Sequence, residues 1–415
     1  MDASTNDLQY FNQEFWAKEM QGVFYRENVA IALANTELRD VLVSGTTVHK
    51  PYRSPLVAQT YTKGTDISTF NSLESTDEYL TVDTAKVVPF YVDSIDSIQN
   101  KWDTVSIYAQ DAGRALNNII DQAVLSEYSN ARSYISAQDL GGSGTGNATI
   151  SAANIQNLFA VASRKLQAGD VPSNNQCAVI GPRLLETLRV SLAGRETGFG
   201  DMVGENGVVA RRFGFEIYLS NNVPFSAVLT YGTTTNNPAD GDYVKIGDVV
   251  FTFKDTLGST AGNIKIETNA DDTFTNLTNA INNDATSLAL GTKWVQISTA
   301  NRRFLIKGSI TATQVTGSDT VTVAGFGDVP VQEFNSSGTL DGATNLTLTS
   351  NAQYPLFMKK GAIDLVIQKS PNVEFRMAQV RLGRFVYPWT LYGKKTFDQM
   401  KDAMVYAKID TSSWL

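Results

Sequence analysis

Residues 79–125 read YLTVDTAKVVPFYVDSIDSIQNKWDTVSIYAQDAGRALNNIIDQAVL, and a change of period inside this stretch decides the fold. Its first part, YLTVDTAKVVPFYVD, alternates apolar and polar side chains, the two-residue period of a strand with one covered face. From Thr104 the period lengthens. Val105, Tyr108, Ala112, Leu116, Ile119 and Ala123 recur at spacings of three and four, which places them along one side of a helix. The reading extends over 104–136, a helix of about thirty residues and ~45–50 Å. GGSGTG at 141–146 ends it.

Upstream, TTVHKPY (46–52) is another strand-like run. The polar stretch TKGTDISTFNSLESTDE (62–78) separates it from the strand at 79. Two strand runs around a long polar excursion predict an extended hairpin arm, because so few large aliphatics cannot form a core of their own. Residues 1–40 read as mostly helical. Downstream, AANIQNLFAVASRKLQAGD (152–170) predicts a helix stopped at Gly169 and Pro172, QCAVIG (176–181) a buried strand, and PRLLETLRVSL (182–192) a helix opened by Pro182. GFGDMVGENGVVARRFGFEIYLSNNVP (198–224) is a glycine-punctuated loop running into the strand FEIYLS.

The composition changes after Pro224. Thr occurs twenty-three times between 226 and 352, a β-type bias that sets this stretch apart. DYVKIGDVVFTFK, NIKIE, KWVQIS, RFLIK and DTVTVAGF read as short strands, and TFTNLTNAINN as a helix. This reads as an independent β-rich module of ~125 residues, α+β or a β-sandwich, inserted rather than appended, since the earlier style resumes after 353. The closing segment GRFVYPWTLYGKKTFDQMKDAMVYAKID (383–410) mixes rings with cations, as a single-strand nucleic-acid platform does. Three acids (Asp398, Asp402, Asp410) offset much of its charge. Pro388 demands an edge or an interruption in its first strand. Phe397, Met400 and Met404 have helical spacing. Core and interface packing is therefore the better reading of its rings.

Bulk properties narrow the chemistry. The chain has 415 residues, a net charge of −8 and no run of Lys or Arg longer than two, which argues against tight nucleic-acid binding. With a single histidine, His49, and a single cysteine, Cys177, an internal disulfide is impossible and His/Cys metal sites or catalytic triads lack residues. GSGTG at 142–146 lacks the strand before it and the Lys-Ser/Thr after it that a phosphate loop needs. NADDT (269–273) lacks a calcium ladder and reads as a helix start. The N-terminus is no signal peptide, and no stretch is long and apolar enough to cross a membrane. No catalytic, cofactor-binding or metal site is expected.

The order of elements resembles the major capsid (coat) protein of tailed bacteriophages, the Hong-Kong-ninety-seven-type fold. The likeness rests on residues 79–125, on NIQNLFAVASRKLQAGDVPSNNQCAVIGPRLLETL (154–188), on GVVARRFGFEIYLSNNVP (207–224) and on RFVYPWTLYGKKTFDQMKDAMVYAKI (384–409). The last would be a strand, a YG turn, a helix and a final strand. The resemblance implies an α+β fold divided as 1–45 N-terminal arm, 46–92 extended loop, 93–170 peripheral domain with a spine helix, 171–225 first part of the axial domain, 226–352 β-rich insertion domain, and 353–415 closing part. It implies hexamers and pentamers closing into an icosahedral head in the virion, assembled in the bacterial cytoplasm. Partners would be further copies, portal and scaffolding or decoration proteins, and packaged double-stranded DNA by weak non-specific contact, with no membrane. Val48, Tyr52, Val57, Leu80, Val82, Trp389 and Tyr392 are the expected subunit-interface residues, the first five gaining most of their burial on assembly. The alternatives are another phage structural subunit, such as a tail-tube or decoration protein, and an enzyme or carbohydrate-binding module with the insert as its working part.

Overall fold

In the computed structural model the long helix runs over Thr104–Leu125, twenty-two residues or ~33 Å, shorter than its sequence pattern predicts. Ser126–Asn130 tightens into a 3₁₀ turn and Ser133–Ile135 is already a strand. Lys394 meets the helix where it ends. Its ammonium donates to the Ala123 carbonyl at 2.6 Å and lies 3.1 Å from Glu127, a cation on the helix's negative end. The buried seam is Ala112, Leu116, Ile120 and Val124, each four residues from the last. It is rotated from the expected face: Ile119 and Ala123 are half-buried and Tyr108 is exposed, its ring 6.2 Å from Phe90. Asp121 and Gln122 share the buried side, and no hydrophobic pattern would have included them.

The structure describes residues 25–42, 45–53, 56–67, 70–73, 75–99, 104–193, 211–231, 237–283, 291–315, 319–340, 342–377 and 382–412. The loop expected at 198–210 and most of the N-terminal segment lie outside them. Within 25–42, helix is confined to Ala30–Leu33 and Leu38–Val41.

The first core surrounds a six-stranded sheet ordered Ser133–Ile135, Met404–Ala407, Leu356–Lys359, Gln176–Ile180, Phe215–Leu219, Arg211–Arg212. Gln176–Ile180 is buried throughout and pairs parallel to Phe215–Leu219, as a central strand does. The helices Ile155–Ala168 and Pro182–Ala193 form where expected, presenting Leu158, Phe159, Ala162 and Leu166, and Leu184, Leu188 and Leu192, to this core. Phe159, Phe215 and Phe357 meet edge-on at 5.4–6.3 Å, each such ring contributing ~1.5–3 kcal/mol through burial.

A second architecture lies beside it. Asp364–Met377 and Gly383–Lys395 form a long antiparallel hairpin against the long helix, and Thr84–Val87 and Phe90–Asp93 add to its second strand. Pro388 sits where the covering strand changes: Phe90–Asp93 pairs with 383–386 and Thr84–Val87 with 389–392. Its missing N–H falls in that gap, so the expected interruption exists on one side, while Val373 still opposes it on the other. The expected YG turn is absent: Tyr392 and Gly393 continue the strand. Gly393 is required there because an added Cβ would collide with the Thr81 carbonyl. The expected closing helix is only a 3₁₀ turn, Asp398–Lys401.

A separate hydrophobic cluster runs from Phe225 to Leu346. A five-stranded sheet (Thr311–Val315, Thr320–Phe326, Pro224–Tyr231, Leu346–Gln353, Ile409–Asp410) and a four-stranded sheet (Asn263–Lys265, Val249–Lys254, Tyr243–Ile246, Val331–Phe334) enclose it with the helix Ala270–Asn282. Asn269 caps that helix by accepting from the Asp271 N–H, so NADDT is a helix start. RFLIK, expected as a strand, belongs to the helix Thr299–Lys307, capped by Ser298. KWVQIS contributes a single bridge, Trp294 to Ile264. In both, the short apolar run was ambiguous by period alone.

Candidate assembly surface

The hairpin arm begins as two short ladders. Val48 pairs with Leu80, flanked by Thr47 with Thr81 and His49 with Tyr79; Tyr52 and Arg53 then pair with Thr76 and Ser75. The base is fastened to the body. Val48, Leu80 and Val82 are buried against Leu42, Val366 and Phe397. Lys395 donates to the Tyr79 carbonyl at 2.9 Å and stands over the Tyr79 and Phe397 rings at 5.4 and 5.3 Å. Lys50 reaches Asp364 at 3.2 Å; burial raises that carboxyl above its usual range, and Lys50 and an Asn35 amide N–H oppose the rise. His49 bridges to Asp77 on the opposite rail at 2.8 Å, both exposed.

Beyond Arg53 the arm changes character. Among the described residues, 56–73 form no strand or helix, and their internal hydrogen bonds are few: Asn71 to the Val57 carbonyl at 2.8 Å and a Thr62–Thr65 turn. Leu56, Val57, Tyr61, Ile67, Phe70 and Leu73 all face out, Phe70 at 81% and Leu73 at 86% exposure. Six large apolar side chains on one short segment form a patch of the kind that marks an interaction site. A second exposed set, Phe375, Met377 and Leu382, lies at the distal end of the long hairpin, and Ile95 and Ile98 extend from the neighbouring strand end.

The expected interface residues divide accordingly. Val57 is exposed and Tyr52 half-buried. Val48, Leu80 and Val82 do not await assembly for their burial, because the base of the arm folds onto its own body; Tyr392 is likewise buried, within the first core. Trp389 is half-buried and donates from Nε1 to Glu374 at 2.9 Å. Ile67, Phe70 and Leu73 are not among the expected interface residues: they stand singly in a polar run, marked only by their three-residue spacing.

The closing segment's rings and cations are engaged within the chain. Phe385 lies 5.1 Å from Tyr91, and Arg376 stands 5.9 Å over Tyr387. Lys394 and Lys395 are occupied as above, and Arg132 meets Asp398 and Asp402 at 3.4 and 3.0 Å. A base-stacking platform needs free ring faces and free cations, and this segment offers neither at Tyr392, Lys394 or Lys395. Cys177 is enclosed in the first core, where burial pushes its thiol up to about 12. No helix among the described residues is long and apolar enough to cross a membrane.

No family model matches the chain, and no curated protein matches it. Solved structures do. A structure from Mycobacterium phage Che8 superposes with a TM-score of 0.57 at 14% identity, covering 96% of this chain and 97% of that one. The capsid structure of the cyanophage P-SCSP1u gives 0.54 at 15% identity, over 97% and 94%. The asymmetric unit of the bacteriophage PhiM1 mature capsid gives 0.52 at 13%, over 96% and 92%. The chain thus shares the α+β fold of these phage capsid structures over nearly its whole length.

Proposed function

We propose that this chain, with the fold of the phage capsids it matches, is a major capsid protein that self-assembles as hexamers and pentamers into an icosahedral head around double-stranded DNA. The arm tip carries this reading: it exposes six large apolar side chains that none of the described residues covers, while the base below it is packed. A second subunit beneath the tip supplies that cover. The segment roles follow the expected division, with 226–352 as an inserted domain. Its flanking strands, Pro224–Tyr231 and Leu346–Gln353, lie side by side, so the module leaves and returns at one place.

The protein acts as a structural subunit of the virion, assembled in the bacterial cytoplasm, without catalysis, cofactor or metal. Portal and scaffolding or decoration proteins are its further partners. DNA contact is weak and non-specific, as the net charge of −8 favours. Negative-stain microscopy of the chain expressed alone tests the reading. Closed shells or capsomer rings are expected. Open tubes would favour a tail-tube subunit, and a chain that stays monomeric at high concentration would count against self-assembly. Deleting 228–350 asks separately whether the insert clamps neighbouring subunits: normal, equally stable shells would remove that role.

A further inference from the structure

The boundary between the two large cores is built from polar groups. Arg26, from the segment before the first short helix, reaches across it. Its guanidinium donates to the Asn221 carbonyl at 2.7 Å and the Asn222 side-chain oxygen at 3.1 Å on the body, and to the Phe326 carbonyl of the insert at 3.0 Å. Burial lowers this guanidinium to about 10, so it stays charged at neutral pH. Asn222 is held in turn by Asn118 and Asp121 of the long helix, at 2.8 and 2.9 Å. Gln122, one residue on, accepts from Ser309 of the insert at 2.8 Å. Asp328 of the insert accepts from the Arg183 N–H at 2.6 Å, in the first turn of the helix Pro182–Ala193, and Gly327 donates to the Val223 carbonyl at 2.8 Å.

Arg26 itself is fixed to the body. The chain after it is tied there by Ala30 N–H to Asp121 at 2.7 Å, Asn35 N–H to the Ile363 carbonyl at 2.8 Å and Leu365 N–H to the Asn35 carbonyl at 2.9 Å. Further along the same boundary, Gln353 Oε1, Asn351 Oδ1 and Thr411 Oγ1 are buried without a hydrogen-bond partner among the described residues. Such atoms gain hydration when the boundary opens. The two side-by-side flanking strands, the second still paired with Ile409–Asp410 of the body, remain as its hinge.

We propose that Arg26 is a clasp, with Gln122–Ser309 and Asp328–Arg183 as its companions, and that releasing it lets the insert swing as a rigid body on its flanking strands while both cores stay folded. The N-terminal segment thereby sets the insert's orientation, and whatever displaces that segment changes it.

Hydrogen exchange of the full-length chain, followed by mass spectrometry, tests this with Arg26→Ala and, separately, Gln122→Ala. Each is expected to speed exchange about tenfold or more at the Arg183 and Gly327 amides, whose bonds cross the joint, with protection unchanged in 176–180, 249–254 and 270–282. Arg26→Lys, which keeps the charge with fewer donors, should fall between. Unchanged exchange at the joint in both variants, or loss of protection in either core together with the joint, overturns the proposal.

Discussion

The arm and the insert are both excursions from one body, and they treat their hydrophobic residues in opposite ways. In the insert, Phe251, Phe253, Phe274 and Trp294 are buried together inside two sheets, and the chain returns beside the point where it left. In the arm, Leu56, Phe70 and Leu73 face outward on a segment without regular structure. The difference is one of size and shape. Some 120 residues enclose a core; eighteen on a two-stranded ribbon do not, because a lone hairpin has no second layer to cover it. A module of the first kind is stable by itself, whereas the second kind is a demand for a partner.

The largest expected effect breaks this comparison at the arm. Phe70→Ser with Leu73→Ser should abolish shell formation by sedimentation while shifting the free chain's unfolding by no more than ~0.5 kcal/mol. A large loss of stability instead would mean that the tip is covered within its own chain. Next comes the insert. Phe274 stacks 4.3 Å from Tyr231 and packs 5.5 Å from Phe253, so Phe274→Ala should cost ~3–5 kcal/mol in denaturant unfolding, independent of protein concentration. A concentration-dependent cost would place it at an interface and erase the contrast. Trp389, on the body between these extremes, is half-buried: Trp389→Ala should cost ~1–3 kcal/mol and impair folding or assembly, with DNA retention on gels unchanged. The smallest effect is a null one. With its thiol raised to about 12, Cys177 should not react with a thiol reagent at pH 8 until denaturant is added. Rapid labelling of the native chain would contradict the enclosed first core.

Much of the body was legible because its periods are clean. The helices at 155–168 and 182–193 and the strand 176–180 follow directly from apolar spacing and from Pro182 and Gly169. The long helix was over-read because apolar spacing continues past its end, where the terminal carbonyl of Ala123 is met by Lys394, some 270 residues away, a contact no local window contains. RFLIK failed for a related reason: five apolar and basic residues fit either period, and a Ser298 cap settled it. The base of the arm was half legible. Alternation at Val48, Leu80 and Val82 identified a covered face, but not what covers it, since that depends on Phe397 and Val366 arriving from the far end of the sequence. The arm tip's apolar residues stand singly in a polar run, and the three-residue spacing of Ile67, Phe70 and Leu73 does not by itself say that they face out; Arg26 reads as one charge in an unremarkable segment.

The pairing of Ile409–Asp410 with Leu346–Gln353, and of Met404–Ala407 inside the six-stranded sheet, also orders events in time. These strands leave the ribosome after every strand they join. The insert holds all but one of its sheet partners tens of residues earlier, so it can close during synthesis while the body's sheet waits open for its second strand. A nascent chain that has emerged from the ribosome to about residue 360 would therefore carry a finished appendage on an unfinished frame, and the last ladder would both complete the frame and bind the appendage to it.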